Sequence, residues 1–317
     1  MNMRMSNLTQ ITFLAVVLLC ASTADLPGQA RPEKIVFSIP SRSIAAIDLY
    51  VAKERGFFRD EGLDVDIVQI RGNVAVAAAL SGQVQATNGV GTVIRALERS
   101  EIPLKVITVS LKRNLFWLVA RKEITSIPQL KGKILGTTTF GGSQHTAATR
   151  LIRKGRVRPD KDITVMLGGD VPAQMQSLIS GAIDVAALSP PTVILARDKY
   201  HMNVLGSAMD DISNLQNGTA VTEKFLRENR DLLKRILRAR AKANRYFWVN
   251  ERGTSEVLAK FQNVDLSVAA ESYRLAKPAF TADGIPSPKE IDEFLKADAE
   301  LLKLKEPVAA AKIFDFS

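Results

Sequence analysis

Short apolar segments alternate with amphipathic segments along most of this chain. Such alternation of strand and helix patterns is typical of a largely parallel sheet covered by helices. The predicted strands are residues 34–39, 65–70, 84–87, 104–109, 115–120, 134–137, 163–167, 183–188 and 202–206. The predicted helices between them are residues 44–55, 74–80, 92–99, 144–154, 173–179 and 192–198. From about Asn214 the pattern is mainly helical, and the chain is therefore predicted to be an α/β protein.

Two segments of the chain, residues 79–86 and 177–186, have nearly the same sequence. Each reads as a helix that ends at a Ser-Gly pair and is followed by a short apolar strand, because glycine can adopt the left-handed conformation that a helix end requires. The two Ser-Gly pairs are 99 residues apart, and about 100 residues is the length of one small domain. The repeat predicts two similar lobes with a ligand cleft between them.

The first 30 residues have the pattern of a secretory signal. Arg4 precedes an apolar run over residues 11–21, which is shorter than the roughly 20 residues that a membrane-spanning helix needs. Small residues allow cleavage after Ala24 or Ala30, and we expect an exported, periplasmic protein. A retained anchor helix is one alternative. Lipidation at Cys20 is another, although Leu19 stands where a lipoprotein signal usually has a small residue.

Composition excludes several classes of site. Cys20 is the one cysteine of the chain, so after cleavage no disulfide, thiolate nucleophile or cysteine metal site is expected. The formal charge is +10, and nine basic residues fall within residues 224–245, where apolar residues recur at helical spacing. This predicts one long amphipathic helix with a basic, solvated face. Nucleic-acid binding would need aromatic residues among the basic ones or a known motif, and we expect no nucleic-acid partner.

No catalytic motif is present. The chain contains no Gly-x-Ser-x-Gly elbow, no His-Glu-x-x-His pair and no phosphate-binding Gly-Lys-Ser/Thr loop. Its two histidines are His145 and His201. Ser143 and His145 are two positions apart on one predicted helix, so their side chains diverge and cannot act as nucleophile and base. We therefore expect no catalytic residues, no metal and no cofactor.

Several segments resemble one group of transport receptors. The segments are residues 50–65, with Gly56-Phe57-Phe58 and Gly62-Leu63, and residues 127–133, 159–162, 180–184 and 314–317. They are similar to the periplasmic solute-binding proteins of ABC transporters related to sulfonate, taurine and nitrate binders and to thiamin-precursor (NMT1/THI5-like) binders. The resemblance extends from about residue 34 to the last residue. This chain departs from the group's pattern at Gln85 and at Gln174, where relatives often have Asp and Arg.

The resemblance implies a two-lobed periplasmic binding protein of type II. Lobe 1 would comprise residues 31–113 and 214–317, lobe 2 residues 114–213, and the two crossings between them would form a hinge. Such a protein captures a small anionic or polar heteroaromatic solute by closing around it, works as a monomer, and delivers the solute to an ABC permease with its ATPase. Alternatives are a ligand-sensing receptor for a membrane kinase or another transporter, and a catalytic relative. The pyrimidine-forming relatives use a cysteine-rich segment, which this chain lacks.

Ligands of open α/β sheets bind beyond the carboxyl ends of the strands. The loops predicted at those ends supply nine candidate ligand-binding residues, which are Ser41, Ser43, Asn88, Thr92, Thr139, Gly142, Ser143, Gly169 and Ser189. Ser143 could instead simply cap its helix. Arg42 could neutralise an anion, although an exposed loop arginine is more often solvated. Trp117 could stack on a ligand, although a tryptophan within a strand is more often part of the core.

Overall fold

The computed structural model describes residues 31–209 and 214–317. The predicted signal segment, with Cys20 and both cleavage positions, lies outside the described residues. Two five-stranded sheets organise the described part of the chain. Sheet 1 contains β1 (Glu33–Ile39), β2 (Leu63–Gln69), β3 (Ala86–Thr87), β4 (Leu104–Leu111) and β10 (Asn217–Thr222). Sheet 2 contains β5 (Trp117–Ala120), β6 (Ile134–Thr137), β7 (Thr164–Leu167), β8 (Val185–Leu188) and β9 (Asn203–Ser207).

The two sheets have the same design. Their strand orders are β2-β1-β3-β10-β4 and β7-β6-β8-β5-β9. The strands that follow the two Ser-Gly pairs, β3 and β8, occupy the same central position, and Gly82 and Gly181 both have positive φ, 77° and 80°. The sequence repeat therefore corresponds to a structural repeat, and the predicted α/β class is confirmed.

Each sheet is mixed but mostly parallel, as expected, since four of its five strands run in the same direction. β10 runs antiparallel to both of its neighbours in sheet 1, and β5 does so in sheet 2. These two strands are the first ones to enter their sheets after the chain has crossed from the other sheet. The chain is mainly helical after Asn214, as expected, but it forms β10, which the pattern did not predict, before its helices begin.

Thirteen α-helices lie in the described part of the chain. They are α1 (Ile47–Glu54), α2 (Phe57–Asp60), α3 (Gly72–Leu80), α4 (Val90–Arg99), α5 (Ser143–Lys154), α6 (Val171–Ser180), α7 (Thr192–Asp198), α8 (Glu223–Glu228), α9 (Arg230–Val249), α10 (Glu251–Gln262), α11 (Leu266–Ala276), α12 (Pro288–Leu302) and α13 (Ala310–Ile313). Short 3₁₀ helices cover Ile44–Ala46, Ile127–Leu130 and Lys277–Ala279. None of the helices described is long and apolar enough to cross a membrane.

Three apolar clusters bury the helices against the sheets. One packs α9, α10 and α11 on sheet 1, a second packs α4 and α12 on the same sheet, and a third surrounds sheet 2. Trp117 is partly buried and contacts the cores of both sheets. The core interpretation of Trp117 therefore fits better than a role in stacking on a ligand.

Two chain segments connect the sheets, from Leu111 to Trp117 and from Ser207 to Asn217. Asn114 and Asn214 lie buried in them, and the side-chain amide of Asn214 donates a hydrogen bond to that of Asn114. The backbone N–H of Asn214 also donates to the carbonyl of Lys112 at 3.0 Å. The two connections are thus tied side by side. The lobe boundaries at residues 113 and 214 stay a prediction.

The basic segment forms two helices rather than one. α8 and α9 meet at Asn229, whose backbone is not helical (φ −126°, ψ 40°) and whose side chain donates to the carbonyl of Phe225. The basic face of α9 is only partly solvated. Arg235 pairs with Glu33, Arg238 and Lys242 pair with Glu61, and Arg240 is buried against Asp48. Many of these charges therefore hold α9 against sheet 1 and its helices.

Candidate functional site

A small cavity lies where the carboxyl ends of the strands of both sheets face each other. Its volume is about 40 Å³, which is room for a few water molecules at roughly 10–15 Å³ each. Sheet 1 and its loops contribute Pro40, Ser41, Ser43, Ala45, Gly89, Thr92, Gln216 and Asn217. The segments on the sheet 2 side contribute Phe116, Thr138, Thr139, Gly142, Ser143, Gln144 and Val171. The cavity therefore occupies the position in which open α/β sheets bind ligands.

Six of the nine candidate residues line this cavity. They are Ser41, Ser43, Thr92, Thr139, Gly142 and Ser143. The hydroxyl groups of Ser43, Thr92 and Ser143 form no hydrogen bond with any other residue in the described part of the chain. These three hydroxyls are therefore free to bind a guest.

The N-terminus of α5 is open toward the cavity. Gly142 is the N-cap residue, no side chain caps this end, and Ser143 is the first helical residue. The alternative in which Ser143 only caps its helix is therefore wrong. Within the described residues, the backbone N–H groups of Ser143, Gln144 and His145 have no acceptor. Such N–H groups, together with the helix dipole, favour an acceptor or an anion.

Direct contacts cross the cleft in this structure. The N–H of Val171 donates to Ser41 Oγ at 3.1 Å, and the N–H of Gly72 donates to Thr139 Oγ1 at 3.3 Å. A β-carbon added to Gly91 would lie 2.3 Å from Ser143 Oγ on the opposite side. The two sides are thus in contact, and an organic solute larger than a few waters needs the cleft to open.

Three candidate residues do not line the cavity. Asn88 is buried, donates to the carbonyl of Gly218 at 3.0 Å and accepts from Asn217, so its side chain ties β3 to β10. Gly169 has a φ of 79°, and its carbonyl accepts from Gln174 at 3.0 Å. Ser189 is fully buried, and its hydroxyl has no partner among the described residues.

Several lining residues escaped the sequence prediction. Asn217 is the first residue of β10, the strand that the pattern did not predict, and Gln216 directly precedes it. Gln144 is held on both ends, since its Oε1 accepts from the Thr138 N–H at 2.7 Å and its Nε2 donates to the Ala187 carbonyl at 2.7 Å. The aromatic residue that lines the cavity is Phe116 rather than Trp117.

No Asp, Glu, Lys or Arg is among the described residues that line this cavity. Arg42 is exposed, and its guanidinium donates to the carbonyl of Phe261 on α10 at 2.7 Å. Gln174 is buried and hydrogen-bonded to Gln144 at 2.9 Å. The cavity therefore offers hydroxyls, amides and backbone N–H groups to a guest, and no opposite full charge.

Comparison with known proteins gives a consistent picture. The family model "NMT1/THI5 like" matches residues 44–250. The putative binding protein YtlA of Bacillus subtilis is 24% identical over 81% of this chain and 80% of its own length. The riboflavin-binding protein RibY of Chloroflexus aurantiacus is 27% identical over 60% of this chain and 55% of its own length. The alkanesulfonate-binding protein SsuA of Xanthomonas axonopodis, solved with MOPS bound, has a TM-score of 0.74 at 15% identity and covers 90% of this chain and 99% of its own.

The same fold also carries catalysis. The desulfurization enzyme DszB has a TM-score of 0.62 at 15% identity, over 88% of this chain and 95% of its own. At this identity the likeness concerns the fold alone. The named sequence relatives are binding proteins.

Proposed function

Because the chain belongs to the NMT1/THI5-like family, we propose that it is the solute-binding component of an ABC importer. It captures a small polar organic solute in the cavity between the two sheets and delivers it to a membrane permease with its ATPase. The observation that carries this proposal is the convergence of unpartnered hydroxyls from both sheets with the open N-terminus of α5.

The geometry supports hinge closure as the mechanism. Thr92 and Ser143 come from opposite sides of the cleft, so a solute that contacts both binds the closed form better than the open form. A ligand shifts a conformational equilibrium by as much as its affinities for the two forms differ. The paired connections at Asn114 and Asn214 are the place at which the chain would bend. Lobes divided at residues 113 and 214 would move as the two rigid parts.

We further propose that the chain is exported with cleavage after Ala24 or Ala30, acts as a monomer and binds its solute without turnover. Ser41, Ser43, Thr92, Thr139, Gly142 and Ser143 would contact the solute. Asn88, Gly169 and Ser189 would instead shape the loops around it.

A catalytic role is the second candidate function, because the enzyme DszB has a similar fold. Mass spectrometry of each compound after incubation with the purified protein distinguishes binding from turnover.

The solute class is best found by a thermal-shift screen, since a ligand that binds only the folded form raises its melting temperature. Suitable probes are methanesulfonate, nitrate, benzoate, riboflavin and an amino-hydroxymethyl pyrimidine. Among these, the uncharged lining favours solutes that accept hydrogen bonds from N–H and O–H groups. Absence of a shift with every probe, and with broader panels of amino acids and sugars, would contradict a role in solute capture.

The double variant Ser143→Ala, Thr92→Val is expected to bind the best probe at least tenfold more weakly than the unaltered protein. Each hydroxyl is expected to form a hydrogen bond to the solute worth about 1 kcal/mol. Neither hydroxyl bonds to another described residue, so the melting temperature without ligand should change little. Titration calorimetry measures the affinity. Ser177→Ala with Ser180→Ala, at a half-buried and an exposed position of α6, is the control. Equal affinity in both variants would contradict the assignment of the site.

A further inference from the structure

A second cavity lies between α4 and α12 on the side of sheet 1 and α5 on the side of sheet 2. Its volume is about 250 Å³, and it shares no lining residue with the first cavity. Arg95 and Arg99 line it from α4, and His145 and Arg153 line it from α5. Arginines therefore face this cavity from both sides of the cleft.

Two of these arginines are available to a ligand. Arg99 and Arg153 are exposed, and neither forms a hydrogen bond or an ion pair with another described residue. Arg95 differs, because it is buried and its guanidinium contacts both carboxylate oxygens of Asp298, at 2.8 and 3.1 Å. Asp160 is the acidic residue of the lining. The hydrogen bond and charge of Asp162 raise the pKa of the neighbouring Arg158, and the charge of Asp160 adds a smaller effect. Positive charge therefore exceeds negative charge around the cavity.

The protonation of His145 is sensitive to the positive charge around this cavity. The backbone N–H of Gly141 donates to its Nδ1 at 3.1 Å, so the neutral ring carries its proton on Nε2, which is left as a donor. Burial lowers the pKa of His145, and the positive charges of Arg153 and Arg95 lower it further. An anion in the cavity would oppose these two charges.

We propose that this second cavity binds a small oxyanion, such as inorganic phosphate or sulfate, between the guanidinium groups of Arg99 and Arg153. A guanidinium presents paired N–H donors that match the oxygens of phosphate, sulfate and carboxylate groups. A volume of about 250 Å³ is below the range of roughly 300–1,000 Å³ of sites for drug-sized ligands. The cavity therefore suits a small anion with bound water.

The anion would act on the cleft as well as on its own site. Because Arg99 and Arg153 lie on opposite sides, an anion held between them favours the closed form. By linkage, phosphate would then strengthen solute binding in the first cavity, and the solute would strengthen phosphate binding by the same factor. This site lies beyond the proposed function, and its occupancy is measured without knowledge of the solute.

Titration calorimetry with inorganic phosphate, and separately with sulfate, tests the proposal. We expect saturable binding with a Kd below about 1 mM and at least tenfold weaker binding by the Arg99→Gln, Arg153→Gln variant. The control is Arg227→Gln with Arg252→Gln, which removes the same charge from two exposed helical arginines that pair with glutamates on their own helices. No saturable binding of either anion by the unaltered protein, or equal affinity in both variants, would overturn the proposal.

A second readout reports on the cavity itself. The chain has two histidines, so proton NMR follows the pKa of each ring separately. Phosphate is expected to raise the pKa of His145. A His145 pKa that does not move at saturating phosphate would place the anion elsewhere and would overturn the proposal.

Discussion

Replacing Arg240 with methionine is expected to lower the free energy of unfolding by about 3–5 kcal/mol. Arg240 is 5% exposed and forms an ion pair with Asp48, which is buried as well. Removal of one partner of a buried pair leaves an uncompensated charge in a medium of low polarity, whereas replacement of both partners by apolar residues is often tolerated. Urea-induced unfolding measures the change.

The network around Arg240 explains why the loss should be large. Its guanidinium also donates to Ser110 Oγ at 2.8 Å, to the carbonyl of Gly218 at 2.7 Å and to Thr219 Oγ1. One side chain of α9 therefore joins α1, β4 and β10. β10 carries Gln216 and Asn217 into the first cavity, so the network also positions the candidate site.

A matched control lies on the same helix. Arg238 is exposed and pairs with Glu61 at 2.8 Å, and such surface pairs contribute about 0–1 kcal/mol. Arg238→Met should therefore cost little. The double variant Arg240→Met, Asp48→Leu should recover part of the loss of Arg240→Met. A loss in Arg240→Met no larger than in Arg238→Met would contradict this account of the network.

The second large effect concerns pH. Glu98 on α4 is 6% exposed, and neither of its carboxylate oxygens has a hydrogen-bond partner among the described residues. Burial raises the pKa of Glu98 to about 8, and the negative charge of Asp298 adds to the shift, while Arg95 and Arg99 oppose it. The folded protein therefore keeps the proton of Glu98 well above the pH at which the unfolded chain releases it.

The sign of the pH dependence follows from this difference. Between about pH 4.5 and pH 8 the folded state binds more protons at Glu98 than the unfolded state, so the contribution of Glu98 to stability falls as the pH rises. The full change is on the order of 5 kcal/mol. Glu98→Gln should remove this pH dependence. Its stability relative to that of the unaltered protein should therefore be higher at pH 8 than at pH 5. Urea-induced unfolding at a series of pH values measures it.

Glu101→Gln is the control for this experiment, because Glu101 lies just beyond the end of α4 with its side chain 98% exposed. Its substitution likewise replaces a carboxyl group by an amide and should leave the pH dependence of the unfolding free energy as it is in the unaltered protein. The same pH dependence in the two variants would show that Glu98 is not the titrating group.

The sequence predicted the repeat and the loops better than the connections between sheets. The Ser-Gly repeat and the Gly-Gly-Ser loop could be recognised locally, because glycine is typical of a helix end and a short apolar segment after it is typical of a strand. β10 carried none, since Asn217-Gly218 is also typical of a turn. In the structure Gly218 is needed for close packing, as a β-carbon there would lie 1.9 Å from the carbonyl oxygen of Thr108.

The sequence could not predict which hydrogen-bond partner a polar side chain near the site would choose. The amide of Asn88 could bind either a solute or the backbone, and the position of β10 decides in favour of Gly218. Gln144 lies one residue beyond the predicted loop, and its partners Thr138 and Ala187 are distant from each other in sequence. No local pattern indicates such bonds, because they depend on how the strands of sheet 2 are arranged.

Closure of the cleft is the central claim, and the distance between spin labels at Val74→Cys and Met166→Cys tests it most directly. Both positions are exposed, one on each side of the cleft, and Cys20 would be replaced by serine. The best probe of the thermal-shift screen is expected to move the distance distribution to a shorter population. Gly91→Val, which places a side chain against Ser143, should keep the longer population, whereas Ala77→Val, at an exposed position of α3, should not. A distance distribution that the bound compound does not change would contradict capture of the solute by closure. The same shortening in the Gly91→Val variant would also contradict it.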